Sequence, residues 1–397
     1  MTKEERLAQT VRHAYANAPA WRARLDAAGI DPERVRAEDD LNPLPVLHKE
    51  DLVPLQAAAL PFGGLLGQAV GEVARLFMSP GPIYDPEGAI PDYWRFGPAL
   101  QSAGIGQGDV VMVCFNYHLS PAGFMFDSAA RALGAAVIPA GIGQMELQAR
   151  LLSDLGVTGY AGLPSYLAAL LDKCRELGGT PRVRAAVVSG EMLPESLRAR
   201  LRAEYGITML QAYGTADVGC ISQECGHGPG QHVNHGVTVQ VCDPQTGVPL
   251  PPGEVGEVGE VVVNLLSPTY PMLRFGTGDL SAWLAAPGTC TCGNPAPRLR
   301  GVLGRCGDAV KVRGMFVHPS QLAAALAEVP GLQRWHALIT RSGDVDLLTM
   351  HCEGGDPAMI KERVREATRI RAEVELLAPG SIREENHRKI IDERKWD

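Results

Sequence analysis

Leu303-Gly304-Arg305-Cys306-Gly307-Asp308-Ala309-Val310-Lys311-Val312-Arg313-Gly314 places an arginine, an aspartate, a lysine and a glycine at close, regular spacing. The chain changes character around it. Upstream, from about Val233 to Trp283, strand-like segments (Val237 to Cys242, Glu257 to Leu265) alternate with the turn-rich DPQTGVPLPPGEVG, which predicts antiparallel β structure. Downstream, strands are predicted at Ala309 to Val312, His336 to Thr340 and Asp346 to Cys352, with helices over Pro319 to Ala327 and Pro357 to Ile370. Read alone, the stretch is a charged hairpin joining a large domain to a small α+β domain. The boundary falls near Gly307-Asp308, giving domains of residues 1–306 and 307–397.

Further upstream, short apolar runs alternate with helical patterns. Strands are predicted at Val110 to Phe115, Ala136 to Pro139, Gly159 to Ala161 and Ala185 to Ser189. Helices are predicted over Gly123 to Leu133, Leu147 to Leu155, Ser165 to Leu177 and Pro194 to Tyr205. Apolar strands separated by helices imply a mostly parallel sheet with both faces covered. Leu7, Val11, Ala14 and Tyr15 fall on one face of an N-terminal helix, and Trp21 to Ala28 forms a second, closed by Gly29. The fold class expected is α/β: a large N-terminal domain with mostly parallel sheets and a β subdomain, followed by a small, mobile α+β domain.

The chain is 397 residues long, with 45% hydrophobic and 21% charged residues, an ordinary globular composition. A net charge of −8 leaves no basic surplus for a nucleic-acid partner. No apolar run has the length of a membrane span, and MTKEERLAQTVRHAY lacks an apolar signal core, so a cytoplasmic location is expected.

Several short elements carry chemistry. Arg274-Phe275-Gly276-Thr277-Gly278-Asp279 ends on a carboxylate, which can accept two hydrogen bonds from a vicinal diol or act as a turn-former. Gln211-Ala212-Tyr213-Gly214-Thr215-Ala216-Asp217 sets an aromatic, a glycine, a hydroxyl and an acid in close order. Ser189-Gly190-Glu191 follows a predicted strand, at the end where open parallel sheets bind ligands. Cys225-x6-His232 and Cys290-x-Cys292 supply three thiols and an imidazole, the donor set of a closed structural zinc site. His227 and His235 compete for the imidazole position, and unrelated free thiols are the alternative reading.

Together with "HAYANAPAWRARLDAAGIDPERV", "LPVLHKEDL", "GLPSYLAALLDKC" and "GMFVHPSQL", these elements resemble the phenylacetate–CoA ligase branch of the adenylate-forming superfamily, from near residue 11 to the C-terminus. The resemblance implies that Asp279 binds the ribose hydroxyls of ATP or AMP and that Tyr213 packs against adenine. Ser189, Gly190, Glu191, Gln211, Gly214, Arg305 and Lys311 complete the nucleotide-binding set. It further implies that Thr215 faces phosphate, that Asp217 stands where the family has a magnesium-binding glutamate, and that the small domain pivots at Asp308. Some members hold zinc in the region of Cys225, His232, Cys290 and Cys292.

Two segments depart from the family pattern. Its phosphate loop is rich in Ser, Thr and Gly and is followed by lysine. The corresponding Phe77 to Gly88 contains Pro80, Pro82 and Pro86, which lack N–H donors, and the acids Asp85 and Glu87. Ser79, Gly81 and Tyr84 are its remaining phosphate-binding candidates, and a loop with no phosphate role is the other reading. Near the C-terminus, Asn386 occupies the register of the family's catalytic lysine, with His387, Arg388 and Lys389 as nearby donors. Lys389 is taken as the candidate.

The reaction implied is ATP-dependent activation of a carboxylic acid, aromatic by family, as acyl-adenylate, followed by transfer to coenzyme A. An amine acceptor, or a non-catalytic nucleotide-binding protein, are the alternatives. The acid pocket is expected around Tyr117, His118 and Tyr166, for which core packing is the competing reading. The oligomeric state stays open, with a homodimer among the readings.

Overall fold

The computed structural model describes residues 1–79, 82–244, 246–250, 259–285, 290–306, 310–313, 315–317, 319–382 and 389–394. Gly81, Asp308, Asn386, His387 and Arg388 lie outside the described residues. The chain divides into two compact units, residues 1–189 with 201–306, and residues 190–200 with 307–397.

The first unit opens with α1 (Lys3–Asn17). Thr2 Oγ1 accepts from the Glu5 amide and the Glu5 carboxylate accepts from the Thr2 amide, a capping box that satisfies two orphan donors. Leu7, Val11 and Ala14 are buried, as the helical period requires. In α2 (Pro19–Ala27), Trp21 is fully buried and its indole N–H donates to the Pro271 carbonyl at 2.7 Å. The two-residue strand β1 (Leu47–His48) leads through a 3₁₀ turn at Lys49–Asp51 into α3 (Leu52–Ala58). Next, β2 (Arg75–Ser79) and β3 (Ile83–Glu87) pair as an antiparallel hairpin, so the segment at Ser79 is a hairpin tip.

A run of βα units follows: α4 (Gly97–Ser102), β4 (Val110–Val113), α5 (Ala122–Ala132), β5 (Ala136–Ile138), α6 (Met145–Asp154), β6 (Gly159–Gly162), α7 (Pro164–Glu176), β7 (Ala185–Val188), α8 (Glu195–Tyr205) and β8 (Thr208–Thr215). Strands β4 to β8 lie parallel in the order β5-β4-β6-β7-β8. Every residue of β6 and β7 is buried, which explains why these segments read as continuous apolar runs rather than alternating ones.

The sheet then turns antiparallel. β9 (Gly219–Gln223) pairs with β8, and β10 (Gln231–Val233) pairs with β9. A second sheet holds β11 (Val237–Cys242), β12 (Gly259–Leu265) and β13 (Met272–Ser281) in antiparallel register, with β1 added parallel to β13. β14 (Trp283–Ala285) and β15 (Arg298–Leu299) extend the first sheet beyond β10, while β16 (Gly304–Arg305) pairs with β13. The β subdomain expected from the turn-rich sequence is this second sheet.

In the second unit, β17 (Val310–Val312) pairs with β18 (Met315–Val317) and leads into α9 (Pro319–Leu326). β19 (Arg334–Ser342), β20 (Val345–Glu353), α10 (Pro357–Thr368), β21 (Glu373–Leu376) and β22 (Ile390–Asp392) complete it, with strand order β21-β20-β19-β22. Trp335, Ala337 and Ile339 are buried with period two along β19. They share a core with Ile360 and Val364 of α10, an α+β arrangement as expected.

Candidate active site

The opening stretch meets an element upstream of it in the second sheet. In the β13–β16 pairing, Asp279 stands opposite Arg305, and Arg305 Nε lies 2.8 Å from Asp279 Oδ1. Tyr213, at the far end of β8, donates its hydroxyl to Asp279 Oδ2 at 2.9 Å. Burial, reinforced by the Asp279 charge, pushes the Tyr213 phenol well above its ordinary value, so it remains a donor. Two residues from two other motifs thus converge on the Asp279 carboxylate.

The turn after β8 carries the next pair. Gly214 is required by close approach, since a Cβ there would sit 2.5 Å from the Gly219 carbonyl oxygen. Gly219 is required twice: its φ is +82°, and a Cβ would meet the Trp94 carbonyl at 2.7 Å. Between them Thr215 Oγ1 accepts from the Val218 amide at 3.2 Å, which fixes the turn. Asp217 is thereby held 4% exposed. Its Oδ2 receives the Lys49 ammonium at 2.7 Å, and its Oδ1 is buried without a partner.

The sequence reading did not single out Lys49. It sits just past β1, whose parallel register pairs His48 with Gly276 and so brings Lys49 beside the Thr277-Gly278-Asp279 segment. Its partner is 168 residues away, which no local spacing reveals. Burial works against the ammonium, but Asp217 and Asp85 outweigh it, so its pKa lies above the ordinary lysine value.

The hairpin is built from its carboxylates. Asp85 is 1% exposed, and neither oxygen has a hydrogen-bond partner. Burial, with the Asp217 charge second, pushes it up to about 8 against the opposing pull of Lys49. Glu87 is answered by Arg75 at 2.7 Å. Gln56, itself buried, brackets the Tyr84 backbone, accepting from its amide at 2.8 Å and donating to its carbonyl at 2.9 Å. Ser79 Oγ donates to the Ile83 carbonyl at 3.3 Å and closes the hairpin.

The remaining candidates are more dispersed. Gln211 donates its amide to Glu224 at 2.7 Å, and the Ser189 amide donates to the Gly162 carbonyl. Gly190 (φ +87°) and Glu191 belong to the second unit. So do Lys311, placed on β17, and Lys389, whose ammonium lies 5.0 Å over the Trp335 ring. Tyr117 packs edge-on against Phe124 and donates to Asp127 at 3.4 Å, while Phe115 stacks on Phe126. Tyr166 donates to Gln148 Oε1 at 2.7 Å, which also receives the Cys114 thiol at 3.7 Å. His118 is exposed.

Elsewhere in this unit, Cys225, His232, Cys290 and Cys292 place their ligand atoms within 4.8 Å of one another. Cys225 Sγ lies 3.6 Å from Cys290 Sγ, and Cys292 Sγ lies 3.3 Å from His232 Nε2. A tetrahedron with Zn–S of about 2.3 Å has S–S edges of about 3.8 Å and slightly shorter S–N edges. These two separations lie close to those edges. His232 Nδ1 meets the Ala296 carbonyl at 3.0 Å, leaving Nε2 facing the sulfurs. Among the described residues neither His227 nor His235 belongs to the cluster.

Asp279 held by Tyr213 and Arg305, and the buried Asp217 with an unpartnered oxygen, stand in a mixed α/β fold of the AMP-binding, adenylate-forming class. The family model described as AMP-binding enzyme matches residues 129–264. The chain is 31% identical to the phenylacetate-coenzyme A ligase of Thermus thermophilus, covering 89% of this chain and 81% of that one. It is 29% identical to the Escherichia coli phenylacetate-coenzyme A ligase, covering 95% and 90%. The solved structure of 2-hydroxyisobutyryl-CoA ligase in complex with 2-HIB-AMP and CoA superposes with a TM-score of 0.88 at 26% identity, covering 99% of this chain and 89% of that one. The chain belongs to the phenylacetate-coenzyme A ligase family of AMP-forming acid–CoA ligases. No helix among the described residues is long and apolar enough to cross a membrane.

Proposed function

We propose that this protein activates an aromatic or similarly compact carboxylic acid with ATP and passes the acyl group to coenzyme A. The observation that carries the reading is the convergence of Tyr213 and Arg305 on Asp279. Asp279 receives the ribose diol, with its two oxygens already oriented from either side. The acid's carboxylate attacks the α-phosphorus of ATP, forming a C–O–P bond as pyrophosphate leaves. The thiol sulfur of coenzyme A then attacks the acyl carbon, AMP departs, and the thiol proton is lost to solvent.

Magnesium, when bound, neutralises phosphate charge, and the unpartnered Oδ1 of Asp217 is the oxygen suited to it. Thr215 faces phosphate from the same turn. Gly190, Glu191, Lys311 and Lys389 are assigned their family roles, Lys389 as the cation for the adenylation step, with the small domain rotating at Asp308 between the two half-reactions. The aromatic side chains Phe115, Tyr117, Phe124 and Phe126 support an acid pocket of aromatic character. Cys225, His232, Cys290 and Cys292 hold a structural zinc ion that ties the β9–β10 connection to the segment before β15.

A second reading, nucleotide binding without turnover, is favoured by the hairpin, which presents Asp85 and Glu87 where phosphate binding calls for cations. Acid-dependent release of AMP and pyrophosphate in the presence of coenzyme A separates the two. Turnover with at least one acid supports the ligase. Nucleotide binding without AMP release for any acid supports the second reading.

A further inference from the structure

Among its described residues, the β2–β3 hairpin offers phosphate no uncommitted cation. In the described part of the hairpin the charged side chains are Arg75, Asp85 and Glu87, and Arg75 is committed to Glu87 at 2.7 Å. Yet the buried polar atoms nearby are incomplete. Both oxygens of Asp85 and Oδ1 of Asp217 are buried without partners. Among the described residues Lys49 faces both acids, and about a quarter of its side chain remains exposed while that of Asp217 is fully buried.

We propose that Lys49 is the side chain that binds the phosphates of the incoming nucleotide, delivered from the N-terminal segment instead of from the loop. This rests on the nucleotide-binding reading above. An ammonium has three N–H donors, and Lys49 uses one of them, on Asp217. Its flexible stem lets the head turn from Asp217 toward a phosphate oxygen without moving β1. β1 fixes its starting point, because the His48–Gly276 pairing holds Lys49 beside the segment that ends at Asp279. The ammonium therefore lies near the segment that ends at Asp279 and within electrostatic reach of Asp85 on the hairpin. Before nucleotide binds, Lys49 neutralises Asp217. When phosphate arrives it supplies the positive charge, and Asp217 becomes available to a divalent cation. The sequence departure at the hairpin is thus compensated by a residue distant in the chain.

The test measures affinities of full-length protein for ATP with magnesium, AMP and adenosine, using Lys49→Met, Lys49→Arg and the double variant Lys49→Met/Asp217→Asn. The double variant removes the charge pair together, so that no lone carboxylate is left buried. Lys49→Met is expected to weaken ATP at least tenfold and adenosine less than twofold, with Lys49→Arg recovering most of the ATP affinity. The double variant is expected to stay folded and, compared with Asp217→Asn alone, to show the same preferential loss for ATP. Equal losses for ATP and adenosine, or unchanged ATP affinity in a folded Lys49→Met protein, would overturn the proposal while leaving the ligase reading intact. Failure of the unsubstituted protein to bind any of the three would overturn both.

Discussion

Tyr213 and Arg305 hold the two oxygens of Asp279 from opposite sides, at 2.9 Å and 2.8 Å. In the proposed function this arrangement pre-orients the carboxylate for the ribose diol. Tyr213→Phe removes a hydrogen bond to a charged group, an effect of about 1.5–3 kcal/mol. Calorimetry should show AMP affinity falling about tenfold or more, consistent with that range. An unchanged affinity would mean that Tyr213 does not position Asp279.

Asp85 predicts a pH dependence of stability. Its native pKa, about 8, lies above the unfolded value of 3.8, so the native state holds a proton that the unfolded chain has lost. Its contribution is therefore fully present below pH 4 and declines as pH rises to about 8. Asp85→Asn removes this term. The melting temperature of the variant relative to the parent should rise steadily from pH 5 to pH 8 and then level off. A difference independent of pH would show that Asp85 ionises normally.

The cysteine–histidine cluster predicts one zinc ion per chain by elemental analysis. Chelation should lower the melting temperature by on the order of 5 °C, reversibly on adding zinc, as a closed structural site requires. Cys290→Ser should lower both metal content and melting temperature. Zinc-free protein of unaltered stability would assign these groups as free thiols.

Tyr166 and Cys114 share Gln148 Oε1 as acceptor. If Tyr166 lines the acid pocket, Tyr166→Phe should raise KM for the acid several-fold and leave KM for ATP unchanged. A loss of stability with no change in either constant would make it a core residue.

Much of this architecture was legible in the chain. The parallel strands β4, β6 and β7 read as apolar runs because all their residues but Val110 are buried, and β19 read as a strand because its core residues alternate. The hairpin at Arg75–Glu87 was not read as β structure, since Pro86 lies within β3 and proline argues against a central strand. It is tolerated here because the pair is two-stranded and each strand has an edge. Within the site, Tyr213, Asp279 and Arg305 were legible as motif residues, but their convergence depends on the β13–β16 register. Lys49 was quoted only as part of "LPVLHKEDL". Its partnership with Asp217 is a product of the tertiary fold and has no counterpart in local spacing.

The most direct measurement is AMP release by the purified protein with ATP, magnesium and coenzyme A, over a panel of aromatic and short branched acids. Stoichiometric AMP, pyrophosphate and acyl-CoA are expected with at least one aromatic or similarly compact acid, abolished in Asp279→Ala. Absence of AMP release with every acid on the panel, from protein that still binds ATP, would overturn the ligase reading.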